Sequence, residues 1–198
     1  MADYNLYVID PFDLARPLPA LTTKLAEWFD AIVRQAGYSR VYVCNPQYEV
    51  RPAPHELLIY VCPFGTSVVQ KMPGAQKDSW PSLTGSTHHG VTEIRAVTGS
   101  EVWVKTSDIE VLAALIFHEA MHNKLQLGQA LHTQFNPRSL SSASITLPAS
   151  PTAPEVSAMA AALKKPVQQW ADGQRLLRQA LRQRIVGDDS WDISIAAV

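Results

Sequence analysis

Cysteine is scarce in this chain, with only Cys44 and Cys62 among 198 residues, so the fold cannot lean on a framework of disulfides. Each cysteine ends an apolar run, Val41-Tyr42-Val43-Cys44 and Leu58-Ile59-Tyr60-Val61-Cys62. The two read as the ends of strands able to neighbour one another, and a pair of buried thiols is the favoured reading over a bridge. Charge of one sign is also missing: 17 Lys and Arg stand against 18 Asp and Glu, for a net charge of −1 and a pI near 6.6. That balance gives no ground for nucleic acid or an anionic membrane as partner. No apolar run approaches the ~18 residues of a membrane span. The start, Met1-Ala2-Asp3-Tyr4-Asn5, has neither the basic opening nor the apolar stretch of a signal peptide. The expectation is a cytoplasmic protein, or one exported without a cleavable Sec signal, and a monomer. Internal repeats are lacking too.

What is present is the composition of a globular protein, 46% hydrophobic and 18% charged, in a length suited to one domain. The whole of 1–198 is expected to form that domain, with an N-terminal sheet-and-helix half to about residue 128 and a C-terminal half beyond it. Leu6-Tyr7-Val8-Ile9 reads as a first strand, closed by Asp10-Pro11. Leu21, Leu25, Trp28, Phe29, Ile32 and Val33 then mark one face of a helix that Gly37 is placed to end. Arg40–Cys44 and Glu56–Cys62 are strand candidates, rich in β-branched and aromatic residues. Residues 63–90 are broken up by Pro and Gly. Val91–Val97 and Glu101–Lys105 follow as a hairpin turning at Thr98-Gly99-Ser100.

Ser107-Asp108-Ile109-Glu110 has capping-box spacing, with Ser107 as N-cap. The helix it opens is apolar almost all round before His118, which predicts a buried central helix with Gly128 as its stop. Residues 136–154, rich in Ser, Ala, Thr and Pro, read as a surface excursion. A short helix near Glu155–Lys164 and a longer one opened by Pro166 close the order, the latter with Val167, Trp170, Leu177 and Leu181 as a seam interrupted by Gln174. The fold class is α/β (α+β), a mixed sheet packed on the central helix.

That helix carries His118-Glu119-Ala120-Met121-His122. Residues four apart project from one helix face about one turn apart. Two imidazoles so placed can reach one ion at ~2.0–2.1 Å, a distance that suits zinc. Glu119, beside the first ligand but off its axis, is placed to take a proton from water as the water attacks a carbonyl, and to hand it to the leaving amine. Three polar groups on a mostly apolar, capped helix are costly to bury without a task, which favours a site over coincidence. A catalytic zinc takes three protein ligands and keeps one position open. His132 is the nearest later candidate. On an unbroken helix it lies ~21 Å from His118, out of range, whereas a chain reversing at Gly128 returns it. The other reading makes His132 a surface residue of a continuing helix. Glu155, Asp172, Asp188 and Asp189 remain as carboxylate candidates that no spacing singles out.

These residues resemble those of the zincin metallopeptidases, and more narrowly the metzincins, whose pattern is H-E-x-x-H-x-x-G-x-x-H followed by a Met-containing turn and a C-terminal helix. The resemblance implies zinc ligation by His118, His122 and His132, with Glu119 as general base. It puts Met159 of Val156-Ser157-Ala158-Met159-Ala160 in the Met-turn and makes Pro166–Ile185 the last helix. The same segment reads equally as a plain Ala-rich helix with Met159 in its core. Gly128 falls three residues later than the pattern and His132 four later, as if the active helix carried an extra turn. The resemblance implies hydrolysis of peptide or related amide bonds, with extended substrate paired along an edge strand, Val91–Val97 or its neighbour. The alternatives are a gluzincin or aspzincin arrangement with a carboxylate ligand, and a zincin-fold module that binds a partner without catalysis. His88-His89 reads as an exposed polar loop, His55 has no evident partner, and Arg175, Arg178, Arg182 and Arg184 read as a solvated basic face.

Overall fold

Strand Leu57–Pro63 (β3) shows why the chain folds in layers. Its even and odd residues bury in different places: Leu57, Ile59 and Val61 in one apolar cluster, Leu58, Tyr60 and Cys62 in another. A strand covered on both faces must be apolar at every position, which accounts for its uninterrupted hydrophobic run. In the computed structural model, which describes residues 1–15, 17–64, 66–75, 89–104, 108–136 and 138–186 (for 181–186 the backbone alone), β3 is the centre of a five-stranded sheet. Tyr4–Ile9 (β1), Val41–Cys44 (β2), Gly90–Glu93 (β4) and Gly99–Val104 (β5) complete it, in the order β2-β1-β3-β5-β4. All neighbours are parallel except β4, which runs antiparallel along β5 at the edge. The architecture is mixed α/β.

One face is covered by three helices, Leu18–Gln35 (α1), Ile109–Leu125 (α2) and Ala153–Leu163 (α4), which pack on one another. The buried residues of α1 are Leu21, Leu25, Trp28, Phe29, Ile32 and Val33, the stripe its sequence predicts. Gly37, at φ 84°, reverses the chain just beyond it. Phe117 of α2 meets Trp28 and Phe29 of α1 at ring-centroid distances of 6.0 and 5.2 Å. The other face is closed by Trp103, Met72, Trp170 and Leu177, the last from helix Gly173–Val186 (α5). A four-residue helix, Leu131–Gln134 (α3), lies between α2 and α4.

Several expectations need correction. The hairpin does not turn at Thr98-Gly99-Ser100: Gly99 and Ser100 already belong to β5, β4 stops at Glu93, and residues 94–98 connect the two. Thr98 instead bridges to Gln169, its amide donating to the Gln168 carbonyl at 2.7 Å. The N-cap of α2 is Asp108, whose side chain accepts from the amides of Glu110 and Val111, so the cap sits one residue after Ser107. The chain from Pro166 is not yet helical. Val167 and Trp170 are buried in an extended segment, and α5 starts only at Gly173. Gln174 is buried in that seam because its amide bonds both backbone groups of Val50. Cys44 and Cys62 are free thiols, since β1 runs between their strands. Arg178 is not a solvated cation but donates to the carbonyls of Pro46, Gln47 and Tyr48. Ser107, Lys105, His88, Asp188, Asp189, the side chains of Leu181, Arg182 and Arg184, and most of the 63–90 loop lie outside the described residues. No helix among the described residues is long and apolar enough to cross a membrane.

Candidate metal centre

Helix α2 is buried through its second half, from Ile116 to Lys124. Its polar residues therefore need partners, and its turns deal them out in different directions. His118 and His122 share one face; Glu119 and Asn123 share the next, toward the edge of the sheet. Burial dominates the protonation of both histidines. It pushes His118 down to about 3 and lowers His122 as well, so both are neutral imidazoles near pH 7.

After Leu125 the chain reverses at Gln126, which adopts the left-handed conformation at φ 55°. The helix thus ends before Gly128, the expected stop, and does so without glycine. Gln126 makes this possible with its own side chain, whose amide donates to the Asn123 carbonyl at 2.5 Å and satisfies an end of the helix. The reversal brings back two groups. The Leu127 carbonyl accepts from His122 Nδ1 at 2.5 Å, and α3 delivers His132. His132 Nε2 lies 3.2 Å from His122 Nε2 and 3.3 Å from His118 Nε2, which are themselves 3.1 Å apart. His118, His122 and His132 form a cluster able to hold a metal ion.

The hydrogen bonds on the far side of each ring decide what this cluster can do. His118 Nδ1 faces the Leu140 carbonyl at 2.6 Å, His122 Nδ1 the Leu127 carbonyl, and His132 Nδ1 the Gln129 Oε1 at 3.1 Å. Carbonyl oxygens only accept, so each Nδ1 carries a proton, and a ring that is neutral presents a lone pair at Nε2. With all three rings neutral, three lone pairs converge within 3.3 Å, an arrangement that repels itself unless a cation sits between. The spacing fits a tetrahedral zinc, for which nitrogens at ~2.0–2.1 Å from the ion stand about 3.3 Å apart. Carbonyls behind the ligating rings are the usual means of fixing their tautomer and direction.

Glu119 faces the edge strand. Thr92 Oγ1 donates to its Oε2 at 2.7 Å, and a Cβ on Gly90 would stand 2.7 Å from its Oε1. Gly90 thus leaves the space the carboxylate occupies, and Thr92 holds it there. In the sheet register Gly90 pairs with Val102 and Thr92 with Ser100, which points both toward α2. Behind Thr92 runs a polar chain: Ser100 Oγ at 3.0 Å, then Asn123 Nδ2 donating to Ser100 at 2.8 Å, then a reciprocal amide pair between Asn123 and Gln169. Burial pushes Glu119 up to about 8, against the lowering effect of the Thr92 hydroxyl.

The structure brings together His118, His122 and His132, the three histidines singled out by sequence. It does not bring Met159 into a turn: Met159 lies inside α4, fully buried in the core. The loop that touches the triad is instead Ser139–Ser142, buried where a surface excursion was expected, with the Leu140 carbonyl against His118. Glu155 is committed elsewhere, its carboxylate accepting from the Thr152 and Ser141 amides and the Thr152 hydroxyl. Asp172 is exposed and outside the cluster. His55 has partners after all: its carbonyl accepts from Tyr4 and Lys124, and its ring stacks on Tyr38 at 6.2 Å. Leu127, Leu140, Gln129, Gly90 and Thr92 went unnoticed in the sequence. The first two act through backbone carbonyls, which no side-chain motif reports. In sequence, no family profile and no curated protein matches the chain.

Proposed function

We propose that this chain is a zinc-dependent metallopeptidase that hydrolyses peptide or related amide bonds. The observation that carries the proposal is the convergence of three Nε2 lone pairs, each ring locked from behind, beside a buried glutamate on the same helix. His118, His122 and His132 would hold the ion. When bound, zinc supplies positive charge that polarises a carbonyl, acidifies water toward pKa ~7 and favours the ionised form of Glu119. Glu119 is the general base: it removes a proton from the attacking water and returns it to the leaving amine. Thr92 fixes one carboxylate oxygen for that exchange, and Gly90 lets the other lie close to the edge strand. Among the described residues β4 is the edge strand of the sheet, and an extended substrate pairing along it would set the scissile bond near Glu119.

The metzincin reading is supported by the third histidine and by an antiparallel edge strand ahead of the histidine-bearing helix. Two departures stand against a close likeness. His132 comes ten residues after His122, and Met159 is in a helix. A carboxylate third ligand is disfavoured by the cluster being all histidine among the described residues, with Glu155 bound up in its own helix cap. A module without catalysis is disfavoured by the space and the donor reserved for Glu119.

The test is metal content together with cleavage of a degenerate fluorogenic peptide library. Wild type should hold one zinc and cleave; Glu119→Gln should hold zinc and lose cleavage by about 100-fold or more. His132→Ala should lose zinc. Full activity in Glu119→Gln, or unaltered zinc affinity in His132→Ala, would sink the mechanism or the ligand set respectively.

A further inference from the structure

The three rings of the triad are not held alike. His118 and His122 stand on a buried helix, 8% and 9% exposed, and their Nδ1 atoms meet backbone carbonyls, whose positions are set by the fold. His132 stands on α3, a helix of four residues in which only Leu131 is buried. Its Nδ1 meets a side chain, Gln129 Oε1, at 3.1 Å in an exposed setting. A side-chain acceptor has its own rotamers to freeze and water as a competitor, so it orients a ring less firmly than a buried carbonyl does.

We propose that Gln129 is the positioning residue for the third metal ligand, His132. The inference rests on the three-histidine reading of the site but not on peptidase activity. Gln129 fixes His132 as the Nδ1–H tautomer and turns Nε2 toward the other two rings. Losing that acceptor removes what favours the Nδ1–H tautomer, and a proton on Nε2 takes a lone pair away from the ion. The segment that carries Gln129 and His132 also supplies the Leu127 carbonyl behind His122, so ordering it completes two of the three ligands together.

The experiment is competition for zinc and cobalt(II) against a chromophoric chelator, with the cobalt d–d spectrum recorded for each full-length variant. Gln129→Ala should weaken binding by about tenfold, the lower end for a second-sphere partner, and should alter the cobalt spectrum. Gln129→Glu, which keeps an acceptor in place, should bind within about threefold of wild type or more tightly. Gln134→Ala, an exposed change on the same short helix, controls for loss of α3 and should match wild type. Wild-type affinity in Gln129→Ala overturns the proposal, as does an equal loss in Gln129→Ala and Gln129→Glu. A wild-type protein that binds neither metal overturns the site itself, an outcome separate from either.

Discussion

Two buried groups of opposite chemistry sit side by side on α2, and in the metal-free protein they should give stability a maximum near pH 6.5. Burial pushes Glu119 up to about 8 from an ordinary 4.5. Between those values the native state keeps a proton that the unfolded chain has released, so stability falls as pH rises. Burial pushes His118 down to about 3 from 6.5, and lowers His122 in the same direction. Below 6.5 the unfolded chain takes up protons that the native rings refuse, so stability falls as pH drops. From 4.5 to 6.5 Glu119 and His118 oppose one another nearly proton for proton, and His122 tips the slope upward with pH. From 6.5 to 8, of these three groups, Glu119 acts alone. One proton is worth about 1.36 kcal/mol per pH unit, so about 2 kcal/mol should be lost across that interval. The assay is urea denaturation of chelator-treated protein at half-unit steps from pH 5 to 8, followed by the fluorescence of buried Trp28, Trp103 and Trp170. Glu119→Gln should abolish the falling limb and leave a plateau above 6.5. The slope is the readout, because an amide in this place shifts the whole curve by an offset of its own. A wild-type curve that is flat or rising from 6.5 to 8, or a falling limb that survives Glu119→Gln, would refute the reasoning.

Other substitutions probe the surroundings of the site. Gly90→Ala places a methyl 2.7 Å from Glu119 Oε1 and 2.8 Å from the Glu101 carbonyl. The second contact is backbone and cannot swing aside, so about 1–3 kcal/mol should be lost in urea denaturation. Thr92→Val keeps the shape of the side chain but removes the donor to Glu119. About 1–2 kcal/mol of stability should go, with kcat falling more than KM rises, while Thr92→Ser should recover most of both. Glu101, fully buried on β5, accepts from the amides of Val68 and Val69, from Trp103 Nε1 and from Ser67 Oγ. Glu101→Leu strands those donors and should cost on the order of 3 kcal/mol or more by urea denaturation, whereas Glu101→Gln should cost less.

The parts of this fold that were legible in sequence are those set by burial alone. The continuous run of β3 and the stripe of α1 announce their faces because water is excluded from one side or from both. His118-Glu119-x-x-His122 is legible because the spacing is a property of the helix itself. The end of α2 was not. Gly128 is the residue whose backbone adopts the left-handed turn most freely, yet nothing lies within 4 Å of where its Cβ would be, and the turn falls at Gln126. What offsets the conformational cost at Gln126 is the bond from its side chain to the Asn123 carbonyl, with a second to Thr98 Oγ1 at 3.3 Å. The first partner belongs to the helix's own last turn and the second to a distant segment, and neither enters a scale of intrinsic preference, which points to the wrong residue. The strand ends failed for a related reason: Thr98 and Ser100 are claimed by Gln169 and Asn123 from distant parts of the chain.

The second half of α2 is buried and offers little water to its polar residues, so each of them there needs a specific partner. The answers differ in kind along successive faces. Asn123 finds another amide, Gln169, and Lys124 finds two carbonyls, those of His55 and Lys165. Asn123 thus uses its whole amide, and Lys124 two of its three donors. His118 and His122 are answered on one nitrogen only, and the second nitrogen of each points at the other and at His132. Glu119 is answered by a single hydroxyl, Thr92, on one oxygen. The unfinished groups are thus consecutive with the finished ones on the same helix, and they are the ones the H-E-x-x-H motif contains. With the rest of this half of α2 so thoroughly paired, the three histidines are the part of the site that a metal ion could complete.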